Sequence, residues 1–253
     1  MKITFIGTAG SLLTADRSYP SILINQDLLL DCGEGTTQKL LKIGAIKHVN
    51  RILLTHLHND HFMGIFSLLW YYWLSGRKQN LEIIGPPKTQ FTINKILDLI
   101  HTTEGMRSSF DLQFVELEDT NELQALNKGY KIKAMKVKHS ITGFAYRIED
   151  QGKSLCYSGD TAPTQNLIKL ANECDLLIGE STFPSQFKRI AHKYGHSTPS
   201  DLAELASTSR TKRIAMVHIA SHYLDQIENF KAQAQKEFKG EIIIAKDLME
   251  LTL

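Results

Sequence analysis

The sequence is short of the residue types that mark several protein classes. It has three cysteines and six prolines in 253 residues, and no two cysteines stand in a C-x-x-C spacing. An odd number of widely separated cysteines argues against a disulfide framework and a cysteine-based zinc knuckle. We therefore expect Cys32, Cys156 and Cys174 to be buried free thiols, as is typical of a reducing compartment.

Long apolar runs and a large excess of one charge are also missing. The longest apolar stretch, residues 65–74, is much shorter than the roughly 20 residues that span a bilayer. Residues 1–7 lack the apolar length of a signal peptide. The net charge of +2, from 29 basic and 27 acidic residues, gives no global attraction to nucleic acid. We expect a cytoplasmic enzyme with no membrane partner, in which any anion binding is local.

Sequence periodicity predicts an α/β (α+β) protein. No linker, repeat or low-complexity segment divides the chain, so we predict one domain over residues 1–253. Runs rich in β-branched and aromatic residues predict strands at 2–6, 21–24, 28–31, 51–55, 81–84, 113–116, 131–137, 145–149, 153–158, 175–179, 214–217 and 241–244. Apolar residues three and four apart predict helices at 36–43, 66–74, 88–101, 198–208 and 224–238. Because we find no regular βαβ repeat, we expect sheets packed on each other with helices outside.

Two of the predicted helices carry details that a structure can test. Thr198 and Pro199 suit the N-cap and the first helical position of the helix at 198–208. In the helix at 88–101 the spacing places Phe91, Leu97 and Ile100 on one face, together with Ile96.

The segment His56-Leu57-His58-Asn59-Asp60-His61 carries the strongest chemical signal. Three imidazoles and a carboxylate follow directly after a predicted strand, and a predicted helix follows them. Histidine nitrogens and aspartate oxygens suit zinc and its first-row neighbours. Protonated imidazoles this close would repel one another, so the cluster predicts a bound cation.

Other titratable residues also lie just past predicted strand ends. They are His139, Asp160, Glu180 and His218, and His196 precedes the helix at 198–208. Taken singly, a histidine there is more often a hydrogen-bonded surface residue, and Ser-Gly-Asp at 158–160 is an ordinary turn. As a set, they supply the partners that the first cluster requires.

The motif Thr55-His56-Leu57-His58-Asn59-Asp60-His61 resembles the H-x-H-x-D-H signature of the metallo-β-lactamase superfamily. The resemblance implies a four-layer αββα sandwich with a two-metal site at one sheet edge. It further implies the ligands of each ion. His56, His58 and His139 would hold the first metal, Asp60, His61 and His218 the second, and Asp160 would bridge both.

Five further segments resemble the ribonuclease Z group, the tRNA 3′-end endonucleases and their relatives. These segments are F-I-G-T at 5–8, D-C-G-E-G-T at 31–36, G-E-S-T-F at 179–183, G-H-S-T at 195–198 and H-I-A-S-H-Y at 218–223. By this resemblance His196 would stabilise charge or protonate the leaving oxygen, with Glu180 orienting it. Asp60 would accept a proton as well as bind metal. The resemblance also implies two zinc ions, with manganese or iron as alternatives, and a homodimer.

The chain departs from the ribonuclease Z pattern in two places. Only twenty residues separate His139 from Asp160, where that group usually carries a long arm that grips tRNA. The loop at 13–20 retains Arg17 but lacks the Pro-…-Arg-Asn pattern that senses tRNA 3′ ends. The residues for hydrolysis are therefore all present, whereas the segments that bind tRNA in that group are shortened or altered.

Two segments have open interpretations. Residues 187–194, with four basic or titratable groups and two aromatic rings, are either a nucleotide-binding surface or a solvated loop. The aromatic run at 70–73 either lines a substrate groove or, at helical spacing, packs in the core or a dimer interface.

The sequence supports two enzymatic functions above others. The first is a binuclear metal-dependent hydrolase that cleaves phosphodiesters at RNA 3′ ends. The second is a hydrolase of a small phosphodiester, cyclic nucleotide or aryl sulfate ester without a tRNA role. Two further interpretations are disfavoured. A di-iron redox protein on the same fold would carry a carboxylate in place of His58. A scaffold that has lost its metals would not keep a suitable residue at all seven ligand positions.

Overall fold

A computed structural model of the chain describes residues 1–118, 120–124 and 129–253, with the backbone alone at 120–124. It contains strands β1 Lys2–Gly7, β2 Ser21–Ile24, β3 Leu28–Leu30, β4 Arg51–Leu53, β5 Leu81–Gly85, β6 Leu112–Glu116, β7 Thr120–Gln124, β8 Lys131–Lys136, β9 Phe144–Asp150, β10 Lys153–Tyr157, β11 Leu176–Glu180, β12 Arg213–Val217, β13 Glu241–Ile244 and β14 Glu250–Thr252. The helices are α1 Thr36–Lys42, α2 Asn59–Phe62, α3 Gly64–Leu74, α4 Thr89–Leu99, α5 Glu104–Arg107, α6 Gln165–Leu170, α7 Lys188–Lys193, α8 Pro199–Thr208 and α9 Ile227–Glu237. Short 3₁₀ helices cover Ser185–Phe187 and Ser221–Gln226.

The strands form two seven-stranded sheets of matching design. The first sheet has the order β14-β1-β2-β3-β4-β5-β6, and the second has the order β13-β12-β11-β10-β9-β8-β7. Strands β3 to β6 are mutually parallel, as are β10 to β13, and the remaining pairs are antiparallel. Helical crossovers join the parallel strands, so each sheet contains successive βαβ units. Our expectation that no βαβ regularity exists was wrong, because α2, α6 and α7 are too short to show a helical period.

Three apolar clusters define the four layers. Phe5, Tyr146 and Tyr157 belong to the cluster that both sheets bury between them. A second cluster joins the first sheet to α1, α3 and α4, and a third joins the second sheet to α6, α8 and α9. The predicted αββα sandwich is therefore confirmed.

Local signals explain where several helices begin and end. Thr198 caps α8: its side chain accepts from the Asp201 amide, and the Asp201 carboxylate accepts from the Thr198 amide. Gly44 follows the end of α1 with a φ of 70°, a left-handed conformation that glycine adopts without strain. The predicted face of α4 was wrong in part. Leu97 is buried as predicted, but Phe91 is 68% and Ile100 47% exposed, and Ile93 is buried beside Leu97.

The aromatic run at 70–73 is divided between the core and the surface. Tyr72 and Trp73 are buried in the cluster between the first sheet and its helices, whereas Trp70 is 43% exposed. Between His139 and Asp160 the chain forms only the β9–β10 hairpin, turning at Gln151 and Gly152 with φ values of 49° and 74°. The expected absence of an arm at this point is confirmed. In the described ranges, no helix has the length and hydropathy to cross a membrane.

Candidate metal centre

The fold places the candidate residues at one edge of the sandwich. Parallel strands direct their carboxyl ends to the same edge, and loops beyond those ends hold His56, Asp160 and His218. His139 follows β8 in the second sheet. Because these loops are anchored by buried strands, their side chains are held firmly while remaining near solvent.

The turn from His56 to His61 is fixed by close backbone packing. His58 is the N-cap residue of α2, which carries Asp60 and His61 in its single turn. A Cβ added to Gly64 would lie 2.1 Å from the carbonyl oxygen of Gly33, so only glycine lets these segments touch. The contact presses α2 against the loop that follows β3.

Three histidines form what we call the imidazole group: His56, His58 and His139. The Nδ1 atom of His58 lies 3.1 Å from Nε2 of His56 and 3.0 Å from Nε2 of His139. A tetrahedral ion with metal–nitrogen bonds of about 2.1 Å separates its ligands by about 3.4 Å. The three nitrogens therefore have nearly the spacing that one metal ion imposes on its ligands.

Four residues form what we call the carboxylate group: Asp60, His61, Asp160 and His218. Nε2 of His218 lies 3.3 Å from a carboxylate oxygen of Asp60 and 3.3 Å from Oδ2 of Asp160. Nε2 of His61 lies 3.3 Å from Oδ1 of Asp160. All the candidate ligand atoms of this group lie within 4.8 Å of one another. His61, Asp160 and His218 are buried, and the Asp60 side chain is 13% exposed.

Asp160 lies between the two groups. While its Oδ1 faces His61, its Oδ2 faces His218 and also lies 3.9 Å from Nε2 of His56 in the imidazole group. Oδ2 therefore lies between residues of both groups, whereas Oδ1 faces the carboxylate group alone. The geometry agrees with the bridging role that the sequence resemblance implies.

Two buried atoms in the carboxylate group lack conventional partners. Within the described part of the chain, Nε2 of His61 and Oδ1 of Asp160 lie 3.3 Å apart but form no well-aligned hydrogen bond with each other or with any other group. Leaving a buried polar atom without one is costly, and a bound cation removes that cost. The donor set and these two atoms therefore fit a metal ion.

Hydrogen bonds on the outer side of the rings determine which nitrogen faces inward. His61 places Nδ1 2.8 Å from the Asp31 carboxylate, and His139 places Nδ1 2.8 Å from the Gly195 carbonyl. Ionised carboxylates and carbonyls only accept, so each Nδ1 carries the proton. In the neutral ring, each Nε2 therefore directs its lone pair toward the site, as a metal ligand requires.

The same logic applies to His218 and His56. The Thr182 hydroxyl has one proton, which it donates to the Glu180 carboxylate over 2.5 Å. It must then accept from Nδ1 of His218 at 2.9 Å, which leaves Nε2 of His218 free to ligate. Nδ1 of His56 lies 3.0 Å from the Thr55 hydroxyl, which in turn bonds the Asp31 carboxylate.

The two groups differ in their electrostatics. Burial, followed by the nearby His61, holds the pKa of His56 well below its usual range, so its imidazole is neutral. Burial also lowers the pKa of His61, but the Asp160 and Asp31 carboxylates outweigh it and the pKa ends well above the usual range. The carboxylate group thus attracts positive charge, whereas burial lowers the pKa of both His56 and His58 in the imidazole group.

Glu180 and His196 form a pair beside both groups. Nδ1 of His196 lies 3.0 Å from Oε1 of Glu180, and the Thr161 amide donates to the same carboxylate oxygen over 2.7 Å. Burial lowers the pKa of His196, but the Glu180 charge and hydrogen bond outweigh it and raise this pKa to about 9. Because Glu180 occupies Nδ1, the other ring nitrogen remains for a bound molecule.

A pocket of about 510 Å³ opens over these residues. The candidate ligands His58, Asp60, His139 and Asp160 contribute to its floor together with His196. Other lining residues are Ser11, Leu12, Ser140, Thr182, Phe183, Lys193, Tyr194, Ala220, Ser221, His222 and Tyr223. All nine residues proposed from the sequence thus lie in or beside one site.

Arg17 has a structural environment rather than a place in this pocket. Its guanidinium is buried and donates to the Thr8 hydroxyl over 2.8 Å and to the Ala245 carbonyl over 2.9 Å. Asp247 accepts from Thr8 and from the Ser18 amide in the same cluster. These bonds fasten the loop that presents Leu12 to the pocket.

Some residues that support the candidate ligands had no role assigned to them from the sequence patterns. Asp31, whose segment we had used only for the resemblance, accepts from the Thr55 amide and hydroxyl, the Tyr157 hydroxyl and His61. An acidic residue at the end of an apolar strand was the available signal. The Thr182 contacts depend on distant segments meeting, and no local pattern announces them.

Comparisons with known proteins agree on the fold. A profile described as "Beta-lactamase superfamily domain" matches residues 26–219. The crystal structure of human tRNase Z, short form, superposes with a TM-score of 0.83 and 27% identity, covering 100% of this chain and 99% of the other. The metallo-beta-lactamase fold protein YhfI from Bacillus subtilis gives 0.83 and 23%, covering 99% and 98%.

Curated relatives carry the name ribonuclease Z. The protein of Picrophilus torridus is 28% identical over 303 residues, which cover 100% of this chain and 96% of the relative. That of Methanosarcina acetivorans is 26% identical over 306 residues, covering 100% and 98%. The first comparison runs over 50 residues more than the 253 of this chain, so the relative has segments without a counterpart here.

Proposed function

Because this chain belongs to the beta-lactamase superfamily, we propose that it is a binuclear metal-dependent hydrolase of phosphodiester bonds, similar to ribonuclease Z. One observation carries the proposal. Seven nitrogen and oxygen ligands from separate loops converge on one edge, and outward hydrogen bonds turn the lone pairs of four histidines inward. Such a set has the composition of a catalytic site for first-row metals.

The two groups would each hold one ion. His56, His58 and His139 would hold the first, Asp60, His61 and His218 the second, and Asp160 would contact both. Bound divalent ions lower the pKa of water and neutralise charge on phosphate oxygens. The remaining steps belong to side chains of this protein.

Hydrolysis forms one bond and breaks one. The oxygen of water bonds to phosphorus, and the bond from phosphorus to the leaving oxygen breaks. We assign His196 to give a proton to the leaving oxygen, because Glu180 fixes its ring and its free nitrogen meets the pocket. We assign Asp60 to accept the proton that water loses, since it lines the pocket beside Asp160.

Two substrate classes remain in the proposal, and each has support. The relatives named ribonuclease Z and human tRNase Z favour the 3′ ends of RNA. The hairpin that replaces the tRNA-gripping arm favours a small phosphodiester, a cyclic nucleotide or an aryl sulfate ester. Both classes use the same reaction centre, and they differ in what surrounds the scissile bond.

We also propose that the ions are zinc, which accepts this mixture of imidazole and carboxylate ligands, with manganese or iron as alternatives. A homodimer in the cytoplasm is the corresponding proposal for the assembly and its location. Metal analysis of the purified protein, light scattering and cell fractionation test these three points.

The substrate experiment pairs a precursor tRNA with bis(p-nitrophenyl) phosphate, each with and without a chelator. We expect metal-dependent release of p-nitrophenol, and cleavage of the tRNA 3′ trailer if the RNA function holds. Hydrolysis of the small ester without tRNA binding would exclude the RNA function. Activity that survives complete removal of metal would refute the proposal as a whole.

A matched substitution separates catalysis from metal binding. His196→Gln should lower turnover about a hundredfold, because general acid catalysis typically contributes that much or more. The metal content should stay at the wild-type level, since the proposed ligands are untouched. A loss of metal in this variant would show that His196 is a ligand and that its role is misassigned.

A further inference from the structure

The rim of the pocket next to His196 carries an exposed cation beside an exposed aromatic ring. Lys193 and Tyr194 end α7 and both line the pocket, and the Lys193 ammonium lies 5.8 Å from the centre of the Tyr194 ring. We propose that this rim binds a second nucleotide unit of the substrate, with Lys193 on a phosphate adjacent to the scissile one and Tyr194 against a base. The inference rests on the proposed function and narrows its substrate class to oligonucleotides.

Ion pairs distinguish the cationic residues of the basic segment at 187–194 from one another. The buried Asp201 carboxylate takes the Lys188 ammonium at 2.9 Å and Nε2 of His192 at 3.0 Å. Lys193, in contrast, has no ion pair with any residue in the described ranges. Its charge is therefore the one in this segment that is both unpaired and on the pocket. An exposed, uncompensated ammonium suits a phosphate oxygen.

The walls around Lys193 suit a flat apolar group. Tyr194 is 57% exposed, and Leu12 lines the same pocket with 54% of its surface exposed. Phe183 adds a ring centred 6.1 Å from that of His196. Bases stack on aromatic side chains without regard to sequence, so these residues offer a surface for a nucleobase of any type.

The rim is tied firmly to the reaction centre. Gly195, which follows Tyr194, accepts a hydrogen bond from His139 and has a φ of 75°. A Cβ at Gly195 would lie 2.9 Å from Cα of His139, so the backbone there cannot shift freely. Lys193 and Tyr194 are therefore held beside His196.

A small aryl ester has nothing to place at such a rim. Bis(p-nitrophenyl) phosphate carries one phosphate, whereas a strand of nucleic acid carries one on either side of the scissile bond. The rim can thus replace part of the grip that an arm would supply. It predicts a short oligonucleotide as the preferred substrate over a single diester.

The test compares three dinucleotides that share one diester bond. These are uridylyl-uridine without a terminal phosphate, with a 5′ phosphate and with a 3′ phosphate. The metal-loaded wild type should show a kcat/KM at least about tenfold higher for one phosphorylated form, as one charge-assisted contact provides. Lys193→Gln should remove that preference, while Lys153→Gln, at the far end of β10, should keep it.

The base contact has its own variants. Tyr194→Ala should raise KM for all three dinucleotides. Tyr194→Phe should keep the wild-type KM, because stacking needs the ring and not the hydroxyl. Equilibrium binding of the dinucleotides to metal-loaded protein, measured by calorimetry, gives a readout that does not depend on turnover.

The outcomes separate the two proposals. Absence of any metal-dependent diester hydrolysis would overturn the proposed function. The rim proposal would still be tested in that case, by whether the wild type binds one phosphorylated dinucleotide more tightly and whether Lys193→Gln loses that preference. Equal affinity for all three dinucleotides in the wild type would overturn the rim proposal. So would a Lys193→Gln variant that keeps the preference or weakens every probe equally.

Discussion

The imidazole group and the carboxylate group are built differently. His56, His58 and His139 present three nitrogens, and two of the three residues are partly exposed to the pocket. His61, Asp160 and His218 are buried, the Asp60 side chain is 13% exposed, and the group supplies two carboxylates. A mostly buried donor set that contains two carboxylates holds a divalent ion more tightly than a partly exposed set of imidazoles. We therefore expect unequal affinities, with the ion of the carboxylate group released last.

The largest expected effect comes from removing the residue that the two groups share. Asp160→Ala should lower turnover about ten thousandfold, because both ions lose a ligand and the loss amounts to several kcal/mol. Bound metal, measured by mass spectrometry, should fall for both sites, with circular dichroism reporting the fold. A variant that keeps two ions per chain would end the bridging assignment.

His58→Ala should affect the imidazole group alone. We expect turnover to fall about a thousandfold and one ion to be lost, while the ion of the carboxylate group stays bound. Wild-type-like activity in the purified variant would refute the metal assignment. Loss of both ions would show that the two groups are not separable.

Asp31→Asn sharpens the comparison by weakening the outer contact of His61, together with the bonds that Asp31 accepts from Thr55 and Tyr157. The amide keeps the shape of the carboxylate but holds the Nδ1 proton of His61 less strongly. Metal affinity should fall about 10–100-fold, as it does when such outer partners are replaced. The matched control is Asp175→Asn, a carboxylate paired with Lys212 outside the site, which should leave metal affinity unchanged.

The smallest expected effect concerns Asp201, a buried carboxylate that belongs to the N-terminal cap of α8 and not to the proposed metal ligands. Burial raises the pKa of Asp201, but bonds from Lys188, Thr198 and His192 outweigh it and the pKa lies below its usual range. A depressed pKa in the folded state stabilises the protein above about pH 4, and this stability is lost as the pH falls through the depressed value.

Asp201→Asn should therefore cost about 1 kcal/mol of unfolding free energy at pH 7, through the lost cap charge, and less at pH 3. Chemical denaturation at both pH values measures the difference. Metal content should not change. A cost that grows as the pH falls would contradict the assigned sign.

The chemical residues were predictable because they are local or terminate strands. The spacing from His56 to His61 is visible in six consecutive residues, and apolar runs mark the strands that precede His139 and His218. The wrong or missing parts concern packing. Phe91 fits a helical period and still faces solvent, because α4 buries Ile93 and Leu97. Periodicity states that a face exists and does not state which residues the sheet covers.

Contacts between distant segments lay beyond sequence reasoning. Asp31 meets His61 and Tyr157 only because β3, α2 and β10 converge, and Thr182 meets His218 only because β11 and β12 are neighbours. The same applies to Arg17, which the loop at 13–20 retains and whose guanidinium donates to the Thr8 hydroxyl and the Ala245 carbonyl. The residue types identify the donor atoms, whereas the orientation of those atoms depends on which strands are neighbours in the sheets.

Anomalous X-ray diffraction from crystals of the zinc-loaded protein, recorded at the zinc edge, tests the account most directly. We expect two peaks at the sheet edge, one among His56, His58 and His139 and one among Asp60, His61 and His218, with Asp160 between them. A single peak, or zinc bound elsewhere with both groups left bare, would contradict the two-ion centre.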